Sequence, residues 1–165
     1  MTTQIKGNDT STFGGNIDVT GNVVTDAPAF SADSTGGQSI ASATFTKLQF
    51  NIEDFDTNNC YDHTTNYRFT PNVAGYYQVT FMVALAGYTG NSQPALYKNG
   101  SIWISGAYPF PAAASPSSAY NLGTGLVYLN GTTDYIEAYV WTSSALTTST
   151  NTNRARFQAF LARAV

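Results

Sequence analysis

The chain of 165 residues is short of charge, of helix formers and of cysteine. Charged residues make up 10% of it, against about a quarter in an ordinary globular domain. Seven Lys and Arg stand against ten Asp and Glu, for a net charge of −3. No basic stripe is available for a nucleic-acid backbone, and no polybasic cluster for an anionic lipid surface. Cys60 is the single cysteine, so an intrachain disulfide framework is excluded. A lone thiol suits folding in a reducing cytoplasm. The opening Met1-Thr2-Thr3-Gln4-Ile5-Lys6 is polar and leads into no apolar core, so no secretory leader is expected. No apolar run approaches the ~18 residues of a membrane-spanning helix. Glu, Lys, Arg and Leu are scarce, and no window carries a 3.6-residue apolar period.

What remains is rich in Tyr (11) and Phe (10), with Thr, Ser, Asn and Gly between them. Aromatic and β-branched residues favour strands, and Gly, Asn and Ser favour turns. From Tyr76 to Leu85 the odd positions are Tyr77, Val79, Phe81, Val83 and Leu85, with Gln78 and Thr80 between: a half-buried strand. Ala95–Tyr97 and Ile102–Ile104 flank Asn99-Gly100, which predicts a tight hairpin. Leu126–Leu129 and Tyr135–Trp141 flank Asn130-Gly131, a second hairpin with a longer loop. Arg156–Leu161 makes a closing strand. Short strands at this spacing predict an all-β fold, a sandwich or jelly roll.

The first residues differ. Gly15-Asn16-Ile17-Asp18-Val19-Thr20 is echoed by Gly21-Asn22-Val23-Val24-Thr25-Asp26, with too little apolar surface to fold alone. Residues 1–27 are therefore predicted to be an extended arm and 28–165 the head domain. Such an arm orders against a partner, through Ile17, Val19 and Val23, or remains a tail. The loop Gly106–Ser118 contains three prolines, which forbid a central strand there. Thr142–Asn153 reads as a polar surface loop.

In order along the chain, several fragments resemble one family. They are Pro28-Ala29-Phe30-Ser31-Ala32, Lys47-Leu48-Gln49-Phe50 and Tyr67-Arg68-Phe69-Thr70-Pro71, the last leading to Ala74-Gly75-Tyr76-Tyr77-Gln78-Val79. Leu96-Tyr97-Lys98-Asn99-Gly100, Asp134-Tyr135-Ile136 and Phe157-Gln158-Ala159-Phe160-Leu161 follow. Together they resemble the globular head of complement component 1q, which shares the tumour-necrosis-factor jelly roll. The resemblance runs from about Pro28 to Val165 and implies a jelly-roll β-sandwich that trimerises. No collagen-like stalk precedes the head. The leader is instead similar to segments of bacteriophage fibre and virion-surface proteins. The resemblance thus implies a homotrimeric phage structural protein on the virion surface, made in the bacterial cytoplasm. Its arm would hold capsid or tail proteins, and its head would bind a host surface glycan or protein. A decoration protein that clamps capsid subunits is the alternative.

The strand Tyr135–Trp141 carries Ile136, Ala138 and Val140 on one face and Tyr135, Glu137, Tyr139 and Trp141 on the other. With the first face in the core, Tyr135, Tyr139 and Trp141 are candidates for a subunit interface, since Tyr and Trp combine apolar area with a polar tip. The other reading is a solvent face under a loop. Trp103, Tyr108 and Phe110 are candidates for receptor contact, because exposed aromatics mark binding patches; alternatively, Tyr108 and Phe110 pack their loop. Asp54, Asp56 and Asn58 alternate oxygen-bearing side chains as calcium loops do, but Asn59 stands where such loops need Gly, and no Glu closes the series. A turn-rich loop is the simpler reading. Cys60 and His63 could form a nucleophile–base pair, though no orienting group or oxyanion motif accompanies them. Asn99-Gly100-Ser101 and Asn130-Gly131-Thr132 match the glycosylation pattern yet read better as turns. A glycan-cleaving enzyme would need two carboxylates about 5–10 Å apart. After Asp62 only Asp134 and Glu137 remain. The chain is expected to be no enzyme and to need no cofactor.

Overall fold

The odd positions of the Tyr76–Leu85 stretch point inward as the alternation requires: Tyr77, Val79, Phe81, Val83 and Leu85 are all buried. They belong to a 13-residue strand at the centre of the molecule. The computed structural model describes residues 26–87, 90–106 and 119–165. Its strands are β1 (Ala29–Asp33), β2 (Ser39–Ile40), β3 (Thr46–Lys47), β4 (Ile52–Asp56), β5 (Tyr61–Asp62), β6 (Arg68–Phe69) and β7 (Ala74–Ala86). They continue with β8 (Ser92–Lys98), β9 (Ser101–Ser105), β10 (Ala119–Asn130), β11 (Ile136–Thr142), β12 (Leu146–Thr148) and β13 (Ala155–Ala164). A short 3₁₀ turn, Thr152–Arg154, precedes β13.

Two antiparallel sheets result. In the first, β7 pairs with β10 along one side and with β13 and β12 along the other, and β1 and β4 follow beyond β13. The second runs β5-β6-β11-β8-β9, with β3 also against β11. The sheets face each other over one core: an all-β jelly-roll sandwich. At its centre Phe30 stacks on Tyr61 (4.2 Å) and on Phe69 (4.8 Å), and Phe157 meets Phe30 edge-on (4.9 Å). Rings so arranged add about 0.5–1.5 kcal/mol per pair beyond the area they bury. The buried phenols are satisfied: Tyr61 donates to the Phe50 carbonyl (2.9 Å) and Tyr77 to that of Val73 (2.7 Å).

The first predicted hairpin forms as expected. Asn99 and Gly100 have φ of 52° and 77°, the left-handed pair that a two-residue turn between twisted strands demands. The second is wider: the Asn130 side chain accepts from the backbone of Thr132, Thr133 and Asp134, and Gly131 has φ 73°. Lys98 ties the two turns together through Asp134 (2.9 Å).

Two segments differ from the sequence reading. Of the stretch 54–58 read as a turn-rich loop, residues 54–56 belong to the strand β4, which pairs with β1 across a register shift at Ser31/Ala32. The stretch predicted as one polar loop, Thr142–Asn153, contains β12, which pairs with β2 and β7. Neither segment has the apolar alternation of a half-buried strand. β4 is exposed at four of five positions, and backbone pairing at a sheet edge leaves no hydrophobic signature.

Candidate functional site

Strand β10 is built inside out over most of its length. Its inward positions are Asn121, Gly123, Gly125, Val127 and Leu129; its outward ones are Tyr120, Leu122, Thr124, Leu126 and Tyr128. The glycines are small because neighbours occupy the space. A Cβ on Gly123 would stand 2.1 Å from the Phe81 ring, and one on Gly125 would stand 2.5 Å from the Trp103 ring. The apolar side chains that would normally face a core face out: Leu122 is 59% exposed and Leu126 54%.

The register extends this surface across three strands. Tyr128 lies beside Tyr76, their ring centroids 5.6 Å apart. Leu126 is level with Gln78, and Phe160 of β13 lies beyond it. Leu122 is level with Met82. A polar belt crosses the middle: Gln78 Nε2 donates to Thr124 Oγ1 (2.9 Å), and the hydroxyls of Thr80 and Thr124 lie 3.0 Å apart. The face ends at a charged border, where Arg156 bonds Ser31 and pairs with Asp54 and Asp33. Beside the face is an apolar edge. The outermost strand of the second sheet, β9, exposes Ile102, Trp103 and Ile104, and the Trp103 ring closes over Gly125. Exposed apolar side chains gathered in patches on one side of a domain are candidates for an interaction site.

The residues proposed from sequence as the subunit interface lie on the outer face of the other sheet, where their own chain largely covers them. Tyr139 stacks on Tyr97 at 3.8 Å, and Phe45 meets Tyr97 edge-on. Burial, with Glu137 and Tyr97 nearby, pushes the Tyr139 phenol up to about 12. Tyr135 lies under the Arg68 guanidinium (4.5 Å). Trp141 is half-buried. Glu137 is buried and pairs with Lys47 at 2.7 Å. Ile136, Ala138 and Val140 lie in the core, as the alternation predicts. Sequence reasoning passed over Tyr76, Tyr120, Leu122, Leu126, Tyr128 and Phe160. The signal available was the Gly-x-Gly at 123–125 between outward-phased apolar residues, where the inward phase is too small to build a core.

Of the receptor candidates, Trp103 is on β9, while Tyr108 and Phe110 lie outside the described residues, as do Ile17, Val19 and Val23 of the arm. Asp54, Asp56 and Asn58 are each occupied internally. Asp54 takes Arg156 and the Ser31 hydroxyl, Asp56 accepts from the Tyr61 backbone (2.7 Å), and Asn58 accepts from the Thr57 hydroxyl. Cys60 and His63 have different partners. The thiol donates to the Asn58 carbonyl and burial raises its pKa; His63 Nδ1 lies 3.0 Å from Glu53. Asp134, a carboxylate considered for catalysis, is held below its usual range by the Asn99 amide and by Lys98.

No family model and no curated sequence matches the chain. Solved structures do. A tumour necrosis factor, Eiger from S. frugiperda, superposes with a TM-score of 0.64 at 8% identity, covering 84% of this chain and 93% of the other. The fold is a tumour-necrosis-factor-like jelly roll. Murine APRIL gives 0.62 at 10% identity over 82% and 98% of the two chains. The PRD1 vertex protein P5, from a phage, gives 0.57 at 18% identity over 82% and 97%. The fold is thus similar to that of a tumour necrosis factor and of a phage vertex protein.

Proposed function

We propose that the chain is a homotrimeric virion-surface protein of a bacteriophage, a short fibre, fibre tip or head decoration whose heads bind the host surface. The observation that carries the self-association is the pairing of two unlike apolar surfaces on one subunit. The β9 edge and the β10-β7-β13 face are adjacent and not self-complementary. An edge docked on a neighbour's face makes a heterologous contact, and such contacts close into a ring when each step turns the next subunit by a third of a circle. This assigns the subunit contact to Tyr76, Leu122, Leu126 and Phe160 in addition to, or in place of, Tyr135, Tyr139 and Trp141. The likeness to the phage vertex protein supports the virion assignment.

The chain's polarity supports the rest. Just before β1, the Pro28 carbonyl accepts from Leu161 near the end of β13. The start of β1 and the C-terminal end of β13 therefore share one pole with the Asn130–Asp134 turn. The segment joining β9 to β10, with Tyr108 and Phe110, starts and ends at the opposite pole. An arm bound to capsid or tail would leave that pole outermost. Three weak sites per trimer, repeated over a particle, then act by avidity. The proposed head works without catalysis; Asp134 and Glu137 are held by Lys98 and Lys47. Light scattering on the purified chain is expected to give the mass of three chains, and antibody against the head to label intact particles. Added free trimer should compete with those particles for host cells. A monomer at every concentration overturns the trimer. Unlabelled particles overturn the virion placement. Labelled particles whose adsorption is indifferent to free trimer leave a capsid-clamping decoration.

A further inference from the structure

The side of the sandwich away from β9 and β10 carries a polar cleft of about 440 Å³ between β4 of one sheet and the β5–β6 hairpin of the other. Its floor is rigid. Tyr61 is pinned to the Phe50 carbonyl, and Phe30 stacks on its ring. Its wall is the turn after β5, where Asp62 accepts from the backbone of Thr64, Thr65 and Asn66 and from the Asn66 amide. Burial works to raise the Asp62 carboxyl, yet these bonds outweigh it and hold the group well below the usual range. Both carboxylates of the cleft are therefore engaged: Asp62 with its turn, Glu53 with His63. Arg68 is not. Among the described residues no carboxylate lies within ion-pair distance of it; its guanidinium carbon lies 4.5 Å from the centre of the Tyr135 ring, and the residue lines the cleft. Asn59, Thr64 and Thr70 add neutral donors and acceptors around it.

We propose that this cleft binds a saccharide unit bearing one acidic group, a carboxylate or a phosphate. The Arg68 fork would take the acid, and Asn59, Thr64 and the Glu53–His63 pair the ring hydroxyls. An Arg guanidinium seats either anion through two parallel hydrogen bonds. The volume suits one or two sugar rings. The site rests on the host-binding reading above and gives it a ligand class. It lies on the side left open when β9 and β10 are covered by neighbouring subunits, so a trimer would present three clefts at its periphery.

The test is an amide NMR titration of the full chain with sodium D-glucuronate, glucose 6-phosphate and D-glucose. Saturable shifts at Asn59, His63, Thr64 and Arg68 are expected with at least one acidic sugar, and binding of D-glucose about tenfold weaker or more. A response to glucuronate alone assigns the acid as carboxylate; a response to the phosphate alone assigns a phosphorylated saccharide. Arg68→Met should abolish the preference for acid, and Arg68→Lys should weaken it through loss of the fork. Asn59→Ala, which leaves the Arg68–Tyr135 contact in place, should weaken sugar binding if Arg68→Met fails to fold. Equal affinity for glucose and glucuronate, an unchanged Arg68→Met protein, or an absence of shifts in the cleft overturns the site. Adsorption to host cells, measured in parallel, separates the two ideas. Cells bound equally by wild type and Arg68→Met sink the cleft and spare host binding. Acidic sugar bound by a chain that no host cell retains does the reverse.

Discussion

Each sheet of the head turns a row of aromatic side chains outward, and the two rows meet different fates. On β11 the row is roofed by its own chain: Tyr97 stacks on Tyr139, Phe45 caps Tyr97, and β3 brings Lys47 onto the buried Glu137. On β10 the row stays open: Tyr120, Leu122, Leu126 and Tyr128 are each exposed, with Arg154 near the Tyr120 ring (5.9 Å) and Lys98 and Tyr76 beside that of Tyr128 (5.6 Å each). In sequence the rows look alike, since both alternate large apolar residues with something else. What separates them is what the alternate positions hold. β11 places Ile136, Ala138 and Val140 inward and is an ordinary core strand. β10 places Asn121, Gly123 and Gly125 inward, so its apolar side chains serve the outside.

The comparison breaks most decisively at the bare face. Leu122→Asp, Leu126→Asp and Phe160→Asp together should reduce the solution mass from three chains to one, with the far-ultraviolet circular dichroism of the head retained. A trimer that survives the triple change would move the interface elsewhere, with the covered β11 row the first alternative. Next comes the inward phase of β10. Gly123→Ala forces a methyl into the Phe81 ring, and overpacking of this kind costs about 1–3 kcal/mol, read as a lower urea midpoint. The covered row should behave oppositely to the bare one. Tyr139→Ala should lose a stacking term of about 0.5–1.5 kcal/mol and some buried area, while the mass stays that of three chains. The smallest effect is in alkali. A tyrosine ionises near pH 10 when unfolded and, at Tyr139, at about 12 when folded. The raised value stabilises the fold fully below about pH 10, and that contribution disappears as pH rises through 12. The urea midpoint of Tyr139→Phe should therefore fall less steeply over that range than that of the wild type.

Much of the frame was legible in the residues. The Tyr77–Leu85 phase, the Asn99-Gly100 turn and the inward face of β11 all lie where the pattern puts them, because each rests on a local rule: period two, or a left-handed turn pair. Strands without such a rule were not visible. β4 and β12 are held by backbone pairing at their positions in the sheet, and their side chains are mostly polar or exposed. The candidate sites were less legible still. The sequence shows that Tyr139 and Leu126 are both outward apolar residues; it does not show that Tyr97 and Phe45 arrive over the first and nothing described arrives over the second. The cleft was invisible for a similar reason. Arg68 and Glu53 are 15 positions apart and come together only when β4, at the edge of one sheet, meets the β5–β6 hairpin at the end of the other.

Cys60 offers a use of its own. It is the one thiol in the chain, 6% exposed, beside the Phe30–Tyr61 stack, and burial suppresses its thiolate. Cys60 also lines the cleft between β4 and the β5–β6 hairpin, so the rate at which a thiol reagent labels it is a clock for access through that cleft. With no second sulfhydryl to confuse the signal, mass spectrometry of the intact chain would read that clock in solution and, equally, on an assembled particle.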